Sequence, residues 1–154
     1  MQSIKEQVES LVKTHHTSNP WELCDFLNVT VLEVPLHPKM HGFFINVSGE
    51  EFIYVNEQQS PQEKRVTIAH ELGHLLLHPT LNSLFMMQKT FARPSRYERE
   101  ADLFACHLLL PDDLFQSGGF GGDTLEKISQ ETGVPLRFVE MKWESLQIRG
   151  RMSF

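Results

Sequence analysis

The segment HELGH, at positions 70 to 74, carries the residues best suited to chemistry in this chain. On an α-helix, His70 and His74 lie one turn apart and about 40° apart around the axis, so both imidazoles can reach one point. A tetrahedral zinc ion can be bound in this way. Glu71 lies about 100° from His70, beside that point, where a general base for the water at a catalytic zinc should stand. The spacing therefore indicates a metal site of the hydrolytic type.

The residues around the motif favour a metal over a simpler interpretation. Apolar residues surround the motif on nearly all sides of the helix, which predicts that the helix is buried; they are Val66, Ile68, Ala69, Leu72, Leu75, Leu76 and Leu77. Ionisable side chains on a buried helix need partners, and a metal ion supplies them. The alternative is a helix with two hydrogen-bonded histidines and a surface glutamate, without a metal.

The composition limits the class of protein. With 154 residues, 40% of them hydrophobic and 22% charged, the chain suits one globular domain. Its apolar runs are too short to span a membrane, and its amphipathic start does not resemble a signal peptide. The two cysteines, Cys24 and Cys106, are predicted to be free thiols, which fits a cytoplasmic protein. The net charge of −6 argues against general binding to nucleic acid. A monomer is the favoured state.

The first third of the chain predicts two helices followed by three strands. The helices are expected at 2–14 and 20–27, the second with Asn19 as its cap and Pro20 at its first position. The strands are expected at 29–34, 42–47 and 52–56, with a hairpin turn at 48–50. Because the strands follow one another closely, they predict a small antiparallel three-stranded sheet packed on the HELGH helix.

The HELGH helix itself is predicted from Pro61 to His78. Ser60 and Glu63 form the pattern of a capping box at its start, and Pro79 ends it. His78 lies about 12 Å along the axis from His70, too far to bind the same ion with it. Since the C-terminal end of a helix favours a cationic or hydrogen-bonding side chain, His78 is explained by its position alone.

A third metal ligand is available on the next predicted helix, from Ser95 to Leu110. Glu98 and Asp102 share one face of it, whereas Glu100 points to the opposite side and is expected to face solvent. If this helix supplies a ligand, Glu98 is the candidate, and Asp102 could then bind the second ring nitrogen of a ligand histidine. Without the metal hypothesis, these acids would form an ordinary charged helix face.

Two loops leave alternatives open. Residues 79–94 are apolar for a loop, so they either fill a gap in the core or line a substrate groove, and core filling is favoured. His37 and His41 lie near the predicted sheet, where they are either solvated loop residues, the favoured interpretation, or additional metal ligands.

The C-terminal segment predicts a glycine-rich break at 117–122 and two helices, at 123–132 and 136–146. The sequence between them, with Gly133 at the turn and Val139 facing the core, has the spacing of a helix-turn-helix. Residues 123–149 nevertheless carry five acids and four bases, whereas DNA-reading helices are usually basic. We therefore expect these helices to close the domain or to help dock a protein substrate. Arg137 and Lys142 are the bases whose loss would test for DNA binding.

Several of these segments resemble the ImmA/IrrE family of zinc metallopeptidases. The segments are GFFI at 42–45, IYVN at 53–56, TIAHELGHLLLH at 67–78 and YEREADLFACHLLLP at 97–111. The resemblance implies a zincin-like α+β domain over 1–116, with residues 117–154 as a helical extension packed on it. By position it implies zinc ligands His70, His74 and Glu98, and catalytic Glu71. At Asp102, which would support a ligand, the family often has Asn or another small polar residue.

The resemblance also implies a function. The family cleaves helix-turn-helix repressors of phages and mobile elements, so a zinc endopeptidase with such a repressor as its protein substrate is expected. Glu71 would take a proton from water and return it to the leaving amine, and Tyr97, Tyr54 or a loop histidine would stabilise the oxyanion. Two rivals stay open: an antirepressor that sequesters the repressor without cutting it, and a DNA-binding regulator that uses the C-terminal helices.

Overall fold

The computed structural model describes residues 2–79, 95–116 and 122–152. In chain order its elements are α1 (Ile4–His15), α2 (Pro20–Phe26), β1 (Val29–Val34), β2 (Gly42–Val47), β3 (Glu50–Asn56), α3 (Pro61–Leu77), α4 (Ser95–Leu109), a 3₁₀ turn (Asp112–Phe115), α5 (Gly122–Thr132) and α6 (Leu136–Met152). The predicted apolar loop, beyond Pro79, and the glycine-rich break up to Gly121 lie outside the described residues. Among the described helices, none is long and apolar enough to cross a membrane.

The α+β class is confirmed, but the sheet is mixed and not antiparallel as predicted. Its order is β1-β3-β2, with β1 parallel to β3 and β2 antiparallel to β3. The predicted hairpin between β2 and β3 is present, and its turn residues Ser48 and Gly49 both have positive φ, as a tight two-residue hairpin turn requires. The error concerned β1, which pairs with β3 and leaves β2 at the edge of the sheet.

A buried asparagine explains this strand order. Asn56, at the end of β3, donates from Nδ2 to the carbonyl oxygens of Leu36, His37 and Met40 at 3.0–3.3 Å. Its backbone N–H donates to the carbonyl of His41 at 2.8 Å. These bonds hold the connection from β1 to β2 across the end of β3, so that β3 lies between the other two strands.

Helix α3 is central to the core, as its apolar composition predicted. Ser60 and Glu63 form the predicted capping box, with both reciprocal hydrogen bonds present. Ile68, Ala69 and Leu72 on α3 are fully buried. The inward-facing side chains of the sheet include Phe44 and Ile53, which belong to the same core cluster. The sheet and α4 therefore enclose the helix that carries the two histidines.

The C-terminal helices are attached to the rest of the fold by a buried ion cluster. Lys142 of α6 is only 1% exposed, and its Nζ lies 2.7 Å from Asp112 Oδ1 and 2.9 Å from His107 Nδ1. Lys5 of α1 binds the other carboxylate oxygen of Asp112. Val139 is fully buried, as predicted. We propose on these contacts that residues 117–154 extend the domain formed by 1–116.

Candidate metal centre and catalytic cleft

Three side chains converge where α3 faces the start of α4. His70 Nε2 lies 3.1 Å from Glu98 Oε2, and His74 Nε2 lies 2.9 Å from Glu98 Oε1. The candidate ligand atoms of these three residues all lie within 4.8 Å of one another. His74 is buried and the side chain of His70 is only 15% exposed, so bulk water has little access to either ring. The structure thus brings together the three residues that the sequence selected as metal ligands.

His70 is also contacted from behind by Asp102. Its Nδ1 lies 2.8 Å from Asp102 Oδ1, and Asp102 Oδ2 accepts a hydrogen bond of 3.2 Å from Arg137 on α6. Burial alone would lower the pKa of His70, but the neighbouring carboxylates of Asp102, Glu98 and Glu71 outweigh it and raise the pKa to about 9. A carboxylate behind a histidine fixes the ring orientation and makes the imidazole a better ligand.

The surroundings of His78 differ from the expectation. His78 is the C-terminal cap of α3, and its Nδ1 lies 3.1 Å from His74 Nδ1. Its Nε2 lies 2.9 Å from Glu100 Oε1. Glu100, which was expected to face solvent, is only 39% exposed and turns towards α3. The sequence could have predicted the contact between His78 and His74, because His78 lies one turn beyond His74 on nearly the same face of the helix. It could not have predicted the contact between His78 and Glu100, which depends on how α3 and α4 cross.

The glycine of HELGH allows α4 to approach closely. A Cβ atom added at Gly73 would lie 3.0 Å from Cβ and 3.1 Å from Cγ of Phe104, a fully packed residue of α4. Contacts this short are tighter than ordinary packing allows. Gly73 therefore lets α4 lie close enough for Glu98 to reach both histidines.

Glu71 lies beside the three converging groups and not among them. Its Oε2 is 3.9 Å from His70 Nε2, and its side chain is 4% exposed. Glu71 and His70 line a cleft of about 630 Å³. Its walls include residues 39–42, before and at the start of β2, together with Gly133 of the α5–α6 turn and Arg137 of α6. The carboxylate is thus placed where it could exchange a proton with a group in the cleft.

The candidates for an oxyanion-stabilising group can now be compared by position. Tyr54 stacks on Phe43, on the face of the sheet opposite the buried Ile53 and Val55, and therefore points away from α3. Tyr97 packs edge-on against His78. His41 lines the cleft with His70 and Glu71, although it is not part of the candidate metal-binding cluster, and neither is His37.

The donor set fits a zinc ion. Two imidazole nitrogens and one carboxylate are the ligands of many catalytic zinc sites, which keep a further position for water or substrate. The Glu98 carboxylate and the two imidazole nitrogens, 2.9–3.1 Å apart, also offer lone pairs that a cation or shared protons can satisfy. His70, His74 and Glu98 are thus suited to hold the metal.

Comparison with known proteins agrees with this geometry. A model of the M78 peptidases, described as the IrrE N-terminal-like domain, matches residues 24–144. The chain belongs to the ImmA/IrrE family of metallopeptidases. It is 36% identical over 139 residues to an uncharacterised immunity region protein 2 of Bacillus phage phi105, covering 90% of this chain and 88% of that protein. It is 30% identical over 134 residues to the metallopeptidase ImmA of Bacillus subtilis strain 168, covering 86% and 79%.

Membership of this family confirms the resemblance that the motifs indicated. The matched region begins within α2 and ends within α6, so it includes α3, α4 and the α5–α6 turn. These three elements, and residues 39–42 that also line the cleft, therefore belong to the family domain. A metal-dependent peptidase is the activity class that this membership supports.

Proposed function

We propose that this protein is a zinc endopeptidase that cleaves a helix-turn-helix repressor of a phage or mobile element, with His70, His74 and Glu98 as zinc ligands and Glu71 as the catalytic residue. The observation that carries the proposal is the position of Glu71 at the cleft, beside three converging metal-binding groups. The names of the relatives, one a metallopeptidase and one from a phage immunity region, support the class of substrate.

The proposed mechanism assigns a separate task to each group. Zinc, when bound, supplies a Lewis acid that polarises the peptide carbonyl and makes water reactive at neutral pH. Glu71 accepts the proton of the attacking water and delivers it to the leaving amine. Asp102 holds the ring of His70 through Nδ1, 2.8 Å away. His41 is the candidate for stabilising the oxyanion, because it lines the same cleft.

The substrate is proposed to lie extended along the edge of the sheet. β2 is an edge strand of the sheet that the described residues form, and Gly42 at its start lines the cleft. An extended peptide can add to such an edge through main-chain hydrogen bonds. The α5–α6 turn also lines the cleft and would contact the same peptide. This arrangement gives the C-terminal helices a part in docking the substrate.

The reducing cytoplasm is the proposed compartment. Cys24 and Cys106 are both buried free thiols, and burial raises the pKa of each to about 12. The proposed substrate, a transcriptional repressor, occupies the same compartment.

Glu71→Gln tests the proposal against sequestration without cleavage. The amide keeps the shape of the side chain but cannot accept a proton, so we expect zinc binding and folding to be retained and cleavage to fall by about 10²–10⁴-fold. Gel analysis of a helix-turn-helix repressor encoded beside this chain measures cleavage, and Glu140→Gln, on the exposed face of α6, is the matched control. If Glu71→Gln still inactivated the repressor in cells, the sequestering antirepressor would be the better function.

A further inference from the structure

We infer that His78 and Glu100 form a positioning pair that orients His74 towards the metal. This inference rests on the proposed zinc site, because it assigns His74 Nε2 to the metal. Neither His78 nor Glu100 binds the ion in this arrangement. His78 contacts His74 directly, and Glu100 contacts His78, so that the effect of Glu100 on the metal passes through His78.

The distances form one continuous chain from Glu98 to Glu100. His74 Nε2 lies 2.9 Å from Glu98, the proposed third ligand, and His74 Nδ1 lies 3.1 Å from His78 Nδ1. On its other side, His78 Nε2 lies 2.9 Å from Glu100 Oε1. Each contact is within the range of a normal hydrogen bond.

One assignment of hydrogen atoms satisfies these contacts when His74 binds a metal. A neutral imidazole that uses Nε2 as a ligand carries its hydrogen on Nδ1 and donates it. His78 Nδ1 must then accept this hydrogen bond, so a neutral His78 carries its own hydrogen on Nε2. That nitrogen faces the Glu100 carboxylate, which accepts. Glu100 thus selects the tautomer of His78, and His78 selects that of His74.

Packing holds this chain in place. His78 is 7% exposed, and its backbone N–H donates to the carbonyl of His74 at 2.7 Å. Tyr97 packs against its ring at a centroid distance of 4.6 Å. A histidine placed at the helix end only for the helix dipole would need neither a buried ring nor a carboxylate on its far nitrogen.

The same logic applies to both histidine ligands. On its Nδ1 side, His70 contacts the carboxylate of Asp102 directly, whereas His74 is linked on its Nδ1 side to the carboxylate of Glu100 through His78. Carboxylates in this position usually contribute a factor of about 10–100 to metal affinity. A purely structural His78 would instead change the stability of the metal-free protein and leave zinc affinity unchanged.

The first experiment measures the zinc Kd of the full chain by competition with a chelating dye. His78→Phe keeps a ring but removes the acceptor, so we expect Kd to rise by about 10–100-fold. His78→Asn keeps an acceptor near the position of Nδ1 and should lose less. The visible absorption spectrum of the cobalt-substituted protein reports the ligand geometry and should change in His78→Phe. Circular dichroism of each metal-free variant shows whether the fold is intact.

The second experiment tests whether Glu100 acts through His78. We expect Glu100→Ala to weaken zinc binding in the wild-type background and to have no added effect in His78→Phe. Glu140→Ala on α6 is the matched control and should leave Kd unchanged. If Glu100→Ala weakened binding equally in both backgrounds, the chain of contacts would not carry the effect and the inference would be wrong.

The outcomes separate this inference from the proposed function. A wild-type protein that bound no zinc would overturn the metallopeptidase proposal, and the inference with it. Wild-type binding together with a folded His78→Phe protein whose Kd is within about twofold of the wild-type value would overturn the inference alone. If His78→Phe did not fold, Glu100→Ala would decide by the same criterion.

Discussion

Successive turns of α3 present three histidines to the acidic first half of α4. The spacing within HELGH was sufficient to predict that His70 and His74 converge, because helix geometry alone fixes their relative directions. Glu98 was selected over Glu100 because it lies on the same face of the helix as Asp102. The structure has both Glu98 and Asp102 near His70.

The contact between His78 and Glu100 could not be derived in the same way. Its first half, His74 with His78, follows from a spacing of four residues on a helix. Its second half depends on how α4 crosses the end of α3, which is a property of tertiary packing and not of either helix alone. The position of Glu100 around the axis of α4 therefore did not predict which residue its long side chain contacts.

Substitution of the two glutamates of α4 tests the assignment of the third ligand. Glu98→Ala removes a carboxylate that contacts both histidines, so we expect zinc affinity to fall by more than about 100-fold. Glu100→Ala should cause a smaller loss, because Glu100 contacts only His78. Metal analysis after dialysis against a fixed free zinc concentration measures both. Loss of zinc in Glu100→Ala with retention in Glu98→Ala would show that the assigned register is wrong.

At the scale of elements, local patterns predicted the strands but not their pairing. The bounds of β1 and β2 agree with the alternation of β-branched and aromatic residues, and the turn at Ser48 and Gly49 sets the β2–β3 hairpin. The pairing of β1 depends on the path of residues 35–41. That path is fixed by Asn56, a single buried side chain with several backbone partners, which no periodicity reveals.

The closeness of α3 and α4 can be tested at Gly73. Alanine favours a helix over glycine by about 1 kcal/mol, so Gly73→Ala would stabilise an isolated helix. Here the new Cβ would press on Phe104, which is 1% exposed and has little room to move. Overpacking of this kind costs about 1–3 kcal/mol, so we expect lower stability and, because α4 must shift, weaker zinc binding.

Chemical denaturation and zinc competition on the same samples measure the two effects of Gly73→Ala. Gly49→Ala, in the β2–β3 turn, is the comparison variant, because a Cβ there meets nothing within 4 Å although its positive φ strains the turn. It should lose stability without losing zinc affinity. A Gly73→Ala protein with unchanged zinc affinity would show that the position of α4 does not depend on this contact.

At the scale of the whole molecule, the buried cluster around Lys142 makes stability depend on pH. Burial alone would raise the pKa of Asp112, but hydrogen bonds from Lys142 and Lys5 lower it from 3.8 to about 2. The folded protein binds this proton less readily than the unfolded chain. The contribution of the Asp112 carboxylate to the free energy of unfolding is therefore complete above about pH 4 and is lost as pH falls towards 2.

Asp112→Asn should therefore flatten the pH dependence of unfolding between about pH 4 and pH 2. It should also destabilise the protein at neutral pH by about 2 kcal/mol, since Lys142 stays buried with a weaker partner, and the 40% exposure of Asp112 limits the loss. Urea denaturation across this pH range measures both effects. Asp113→Asn, at the neighbouring exposed position, is the control, and an equal change in that variant would contradict the role of the cluster.

The same cluster bears on the rival function of DNA binding. Lys142, one of the two bases that the sequence suggested for a phosphate contact, is buried and bound to Asp112. Arg137, the other, donates to Asp102 at the wall of the cleft. Non-specific affinity for DNA comes mainly from lysine and arginine side chains that neutralise phosphates. Lys142 is therefore unavailable to a phosphate, whereas Arg137 contacts Asp102 but keeps a side chain that is 65% exposed.

We therefore expect no tight binding to duplex DNA in an electrophoretic shift assay at low salt, and no difference between the wild type and Arg137→Ala. Arg137→Ala should instead impair peptidase activity, because Asp102 loses a partner and the cleft loses part of its wall. Lys142 is unsuitable for this comparison, since its replacement would disturb the core. Tight binding with a steep salt dependence that Arg137→Ala removed would favour the regulator, with α5 and α6 reading DNA in place of docking a repressor.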